Sequence, residues 1–270
     1  MRTPSRLAMA AGATAAILVA GVAFGVVGMA RLVDPPSPTT TVTGADGEQV
    51  VLDWRDYPAD PSVDPDDVLA APRAEDVVDV GSAELAAMRR AFEPVAPGLA
   101  WSTPDAPDVL VTDVGGNGYG GASLHQVYNS QSVEGVGLDA DADWHALGAA
   151  VDAELAALGY GPIAWDFDRE PYPYETQEQR DEQMVAEFGS LDPDEMWQWS
   201  GMAERDSMWV WVTIWDERRP TTPDGAWPES ESGVSLFVGG TVVSHDDEQA
   251  YVDGVARFDG LMRPEATGSD

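Results

Sequence analysis

The sequence contains neither cysteine nor lysine among its 270 residues. Without cysteine it has no disulfide, no thiolate-bound zinc, no iron–sulfur cluster and no lipid carried on a thiol. All 14 basic residues are arginines, and three of them precede the first acid, Asp34. The other 11 arginines stand against 48 acids, so the chain after residue 31 lacks the basic face that nucleic acid or an anionic lipid surface requires.

The composition nevertheless favours a folded chain. Aromatic residues make up 9% of the sequence and hydrophobic residues 44%, which is too rich for a wholly disordered acidic protein. The length beyond the N-terminus is ample for one packed core.

The N-terminal segment is strongly apolar. Residues 7–30 carry no charge, and 24 residues in a helix would extend about 36 Å, enough for a hydrocarbon core of about 30 Å. Arg2 and Arg6 outweigh Arg31, which predicts a cytoplasmic N-terminus and an exported C-terminal bulk. We therefore expect residues 1–31 to form a cytoplasmic tip and a single-pass signal anchor in the cell membrane.

Two pairs of small residues in this segment bear on the anchor. Gly28 and Ala30 leave cleavage as a signal peptide open as the alternative. Gly21 and Gly25 form a GxxxG pair, which is a candidate for helix dimerisation in the membrane.

The remainder divides by composition into three parts. Residues 32–80 are rich in Pro, Thr and Asp and predict a stalk followed by an irregular segment. Residues 81–262 contain the periodic patterns of a folded domain, in which 176–201 looks like a helical insertion, and 263–270 form a tail.

The periodic patterns predict an α+β domain: an antiparallel sheet with helices packed mainly on one face. The helices are expected from Ser82 to Pro97, from Asp143 to Leu158, within the insertion from Thr176 to Gly189 and from Asp192 to Gly201, and after Ser244. The strands are expected at 109–111, 124–128, 163–167, 208–215 and 234–243.

The order of these features resembles exported actinobacterial domains of the mycobacterial LppA lipoprotein type. The shared features lie at Pro97–Trp101, Asp143–Trp144, Gly159–Tyr160, Trp215–Asp216 and Phe237–Val243, and they cover about residues 82–245. The resemblance implies an exported α+β domain of unassigned biochemistry, and it carries no functional residue to this chain. The chain departs from the lipoprotein pattern because it has no cysteine to bear a lipid.

Two motifs resemble ligand-binding loops, but each lacks a feature that the ligand requires. Residues 116–121 satisfy G-x-G-x-x-G, but no long helix follows, so a tight loop explains the glycines better than a dinucleotide does. Residues 139–143 open like an EF-hand, but the sixth position is Trp144 and the twelfth is Ala150. We expect no cofactor and no metal site.

No residue can be assigned a catalytic role from the sequence. The three histidines match no metal or nucleophile motif, and the adjacency of Ser244, His245 and Asp246 is no evidence for a triad, which assembles in space. Four acids at strand ends are candidates for a glycosidase pair: Asp166, Asp168, Asp216 and Glu217. A buried acid with a raised pKa among them would favour that chemistry.

The tryptophans supply the candidate binding residues. Trp209, Trp211 and Trp215 lie on one face of a predicted strand, and Trp165 lies on the strand before the insertion. One interpretation is that the insertion packs over this face as a lid, which makes the tryptophans part of the core. The other is that the face is exposed and forms a platform for a glycan or peptide.

These observations predict an exported, acidic domain that binds an envelope protein or glycan without catalysis. The alternative is a hydrolase of cell-wall glycan with carboxylates beside the tryptophan face.

Overall fold

The computed structural model describes residues 37–44, 46–102, 110–222 and 231–267. All of them belong to one compact unit, Ser37–Asp270. Its strands are β1 Thr39–Thr43, β2 Gln49–Asp53, β3 Ala100–Trp101, β4 Val111–Asp113, β5 Gln126–Asn129, β6 Val133–Val136, β7 Ala164–Trp165, β8 Gln198–Arg205, β9 Met208–Asp216 and β10 Ser232–Val242. Its helices are α1 Pro65–Ala70, α2 Val77–Phe92, α3 Trp144–Ala157, α4 Gln177–Phe188 and α5 Glu248–Ala256.

The main sheet is antiparallel throughout, which confirms the predicted α+β class. Its strand order is β3-β6-β10-β9-β8-β7, and the long strand β10 is central. One edge of β10 pairs with β9. The other edge is shared, because β6 pairs with Gly233–Leu236 and β5 pairs with Gly239–Val242.

The main core lies between the sheet and helices α2 and α3. Strand β9 contributes Val210, Val212 and Ile214, all fully buried, from one of its faces. Helix α3 begins as its sequence predicts, because the Asp143 carboxylate accepts a hydrogen bond from the Ala146 N–H. Its apolar stripe is buried, and Gly159 follows it with a φ of +90°.

A second cluster of buried aromatic residues surrounds Trp54. Its principal members are Trp54, Tyr57, Tyr119, Tyr251 and Phe258. The glycine-rich loop 116–121 belongs to this cluster and has a structural role: the Asn117 side chain donates to the Trp54 and Tyr57 carbonyls and accepts from the Tyr119 and Gly121 N–H groups. Those amides are therefore already bonded within the protein.

Two segments differ from the expected organisation. Within residues 32–80, Thr39–Thr43 and Gln49–Asp53 form a hairpin instead of continuing a stalk. Helix α2 begins at Val77, five residues before Ser82, because its apolar stripe continues back to Val77, which is fully buried.

The second predicted helix of the insertion is wrong. Asp192 does cap a turn by accepting from the Asp194 N–H, but that turn is only Pro193–Glu195. Residues Gln198–Arg205 then form β8. The chain is extended there because the edge of β9 offers a full ladder of backbone hydrogen bonds.

The predicted membrane anchor is also corrected. No helix among the described residues is long and apolar enough to cross a membrane. Residues 7–30, with the Gly21 and Gly25 dimerisation pair, lie outside those residues. The transmembrane element of the fold class, the single-pass topology and the helix dimer are therefore not supported.

Candidate functional site

The face of the sheet opposite the main core carries the tryptophans of β9. Alternation along the strand places Trp209, Trp211 and Trp215 on one face and the buried valines on the other. We call this surface, centred on Trp211, the open face.

Two of these rings lie against glycines of the neighbouring strand. Trp209 is directly opposite Gly239, and Trp215 is directly opposite Gly233. A Cβ atom at either glycine would collide with the ring, so both positions require glycine for the rings to lie across β10.

Exposure separates the three tryptophans. Trp215 is only 4% exposed, whereas Trp211 is 39% exposed and Trp209 is half-buried. Trp211 stands between Met202 of β8 and Phe237 of β10, which are its register partners and are also half-buried. The result is an apolar row across three adjacent strands.

A row of hydroxyl side chains lies beside the apolar row, and each of its members is two residues from the apolar residue on the same strand. It consists of Ser200, Thr213 and Ser235, which are partners in the same registers. Thr213 and Ser235 are half-buried, while Ser200 is buried and hydrogen-bonded to Asp166.

Trp165 does not belong to this surface. Its register partner is Gly201, which faces the main core, and its ring packs over Gly148 of α3. It stacks with Phe167 at 5.9 Å between ring centroids and meets Trp199 edge-on at 5.6 Å. The structure therefore separates Trp165 from the other three predicted site residues.

The insertion does not form the predicted lid of two helices in the described part of the chain. From Gln198 the second half of the insertion is β8, which pairs edge to edge with β9 and so lies within the sheet instead of over it. Helix α4 buries Met184 and Phe188, and its end is held by the Trp197 indole N–H, which donates to the Glu187 carbonyl at 2.8 Å.

The four candidate acids have different environments. Asp216 is buried and paired with the Arg218 guanidinium at 2.7 Å, which gives it a structural role. Burial and the nearby Glu187 carboxylate raise the pKa of Asp166, while its Ser200 hydrogen bond and Arg169 oppose that rise. Asp168 is exposed and Glu217 is half-buried. Only Asp166 therefore has the property expected of a general acid, and it borders the hydroxyl row.

The histidines have separate partners. His125 contacts the Tyr251 hydroxyl, His145 contacts Asp194, and His245 contacts Asp76. The Ser244 hydroxyl bonds Asp247 instead of a histidine. Within the residues that the structure describes, no group of three or more His, Asp or Glu is placed to hold a metal ion.

No family model matches the chain, and no curated protein matches it either. One similar solved structure is the crystal structure of the putative lipoprotein LppA from Mycobacterium tuberculosis. The TM-score is 0.38 at 9% sequence identity, and the alignment covers 76% of this chain and 91% of that one. The predicted resemblance thus finds a structural neighbour, at a level of similarity that carries no statement about function.

Proposed function

We propose that this protein is a non-catalytic binding domain of the cell envelope, whose open face binds a neutral glycan chain. The observation that supports the proposal is the apolar row of Met202, Trp211 and Phe237 beside the hydroxyls of Thr213 and Ser235. The apolar segment 7–30 supports export as an N-terminal sequence signal.

The chemistry of the two rows complements that of a sugar chain. An indole ring offers a flat, rigid, apolar surface on which the C–H face of a sugar ring can stack. Hydroxyl groups both donate and accept, so Thr213 and Ser235 can pair with sugar hydroxyls beside the stacked ring. The net charge of −34 repels an anionic polymer, and this favours a neutral glycan over a phosphate- or uronate-bearing one.

The alternative function, glycan hydrolysis, has one supporting observation. Asp166 has a raised pKa and lies at the border of the open face, with Glu187 as a second carboxylate nearby. A hydrolase with this acid would release reducing ends from a glycan and would lose that activity in Asp166→Asn. Under our proposal the wild-type protein binds the glycan and releases none.

We expect Trp211→Ala to weaken binding of chitohexaose, a neutral hexasaccharide, by about tenfold or more. The substitution removes the most exposed ring of the open face. Tryptophans are enriched among the residues whose truncation costs about 2 kcal/mol or more, and about 1.4 kcal/mol corresponds to tenfold. Calorimetric titration of the wild-type and variant proteins measures the change.

Tyr174→Ala is the matched control, because Tyr174 is 85% exposed and lies in the segment preceding α4. It should bind chitohexaose as the wild type does, and an anionic galacturonate hexamer should bind neither protein. Equal affinities of Trp211→Ala and wild type, or absence of binding by the wild type, would contradict the proposal.

A further inference from the structure

Two adjacent arginines in the last turn of α2, Arg89 and Arg90, are among the few basic residues without a carboxylate or carbonyl partner in the described part of the chain. Of the 11 arginines in the described part of the chain, six pair with carboxylates. Two more, Arg219 and Arg263, donate to backbone carbonyls. Arg55, Arg89 and Arg90 have neither kind of partner among the described residues, although the chain carries 48 acids, and only Arg89 and Arg90 of these three are adjacent.

These arginines line a cavity of about 450 Å³ between the end of α2 and the segment that leads into β3. Its apolar wall is formed by Leu99, Ala96 and the half-buried ring of Trp101. The Arg89 guanidinium lies 5.2 Å from the centroid of the Trp101 ring. The cavity therefore combines a flat apolar wall with two guanidinium groups, at a volume typical of small-molecule sites.

The charged residues that line this cavity differ in balance from those of the other cavities. Its charged lining residues are two arginines and one acid, the exposed Glu93. Another cavity is lined by three aspartates and one arginine, and a third by three aspartates without any basic residue. A fourth has two arginines balanced by two aspartates, so among these four cavities only the one at Arg89 and Arg90 has more basic than acidic lining residues. The helix macrodipole accounts for a positive charge in the last turn of α2, but not for a cavity with an aromatic wall beside it.

We propose that this cavity is a binding site for a small organic anion: a carboxylate or phosphate group joined to a flat, apolar body. The two guanidinium groups match the oxygens of such an anion, which arginine binds in bidentate geometry. The apolar body packs on Trp101 and Leu99. The site is separate from the open face, since Trp101 pairs with Gly135 on the side of the main core.

The test uses 2-naphthoate, 2-naphthyl phosphate and the neutral 2-naphthamide as probes of the full chain, with affinity measured by calorimetry. We expect one or both anions to bind and the amide to bind at least about tenfold more weakly, because it lacks the charge. The tighter of the two anions identifies the head group as carboxylate or phosphate.

The variants Arg89→Gln and Arg90→Gln should each weaken anion binding by about tenfold, while Arg257→Gln should leave it unchanged. Arg257 is the matched control because it changes the net charge equally and is only loosely paired with Asp56 at 3.6 Å. Thermal unfolding checks that Arg90→Gln, at an exposed position, folds as the wild type does. Absence of binding up to about 10 mM, equal binding of the amide, or equal loss in Arg257→Gln would overturn the proposal.

Discussion

Arg205→Met is expected to destabilise the protein by about 3–5 kcal/mol, because it leaves a buried carboxylate without its charged partner. That carboxylate belongs to Glu84 of α2, which is only 4% exposed. Its two oxygens are bonded separately: Arg205 approaches one at 2.9 Å, and the Tyr160 hydroxyl donates to the other at 2.9 Å.

The effect is large because Arg205 connects three elements. Its guanidinium also donates to the Leu158 carbonyl at the end of α3, at 2.7 Å, and lies 4.5 Å from the centre of the Tyr160 ring. Helix α2, the end of α3 and the end of β8 therefore meet at one charged group. Removing the guanidinium takes one hydrogen-bond donor from the Leu158 carbonyl and one from the buried Glu84 carboxylate. Leaving such acceptors unsatisfied costs free energy of folding.

Urea unfolding, followed by tryptophan fluorescence, measures the loss. The double variant Glu84→Gln with Arg205→Met should be more stable than Arg205→Met alone, since it removes the unpaired charge as well. Arg257→Met is the control: its ion pair with Asp56 is about half exposed and should contribute at most about 1 kcal/mol. An equally small loss for Arg205→Met would show that the buried pair adds little to stability.

The elements predicted correctly are those whose signals are local. The Asp143 cap and Gly159 enclose α3, and the Thr176 capping box and Gly189 enclose α4, because each signal acts within one turn of its own helix. Strand β8 was missed for the opposite reason. Its cap at Asp192 is a genuine helix signal, and only the distant edge of β9 makes an extended chain more favourable after it.

In the candidate site, too, the local pattern was predictable from the sequence and the packing of distant segments was not. Alternation along β9 places three tryptophans on one face, as the sequence predicts, but the sequence does not show on which face α2 and α3 pack. The exposure of Trp211 therefore required the structure. The pairing of Arg89 with Trp101 had no sequence signal, since the two residues meet only through the return of the chain after α2.

A second large effect is expected from pH, through His125. The imidazole is 1% exposed, and its burial lowers its pKa from 6.5 to about 4, although the Asp60 charge acts in the opposite direction. Its Nδ1 accepts from the Asp60 N–H at 3.5 Å, which leaves Nε2–H to donate to the Tyr251 hydroxyl at 2.9 Å. A proton on Nδ1 would place two donors against each other, so the folded protein favours the neutral ring.

Because the folded protein favours the neutral imidazole, His125 makes the protein less stable as the pH falls. The pKa of His125 is lower in the folded state than in the unfolded chain, so its contribution to stability is complete above about pH 6.5 and is lost as the pH falls towards 4. At about 1.36 kcal/mol for each pKa unit, the loss amounts to about 3 kcal/mol over that interval. Acid also protonates carboxylates and reduces their mutual repulsion, so the histidine effect has to be isolated by comparison with a variant.

His125→Gln provides that comparison, because its amide can still donate to Tyr251 but does not titrate. We expect this variant to be less stable than the wild type at about pH 7.5 and the difference to narrow by about 2.5 kcal/mol at about pH 4.5, as urea unfolding would measure. The carboxylates are the same in both proteins, so their titration cancels in the difference. His145→Gln, at an exposed position, is the control for replacing a histidine and should lie within about 1 kcal/mol of the wild type at about pH 7.5. A difference between His125→Gln and the wild type that stayed constant from pH 7.5 to 4.5 would mean that the buried ring accepts a proton without cost, contrary to the geometry around it.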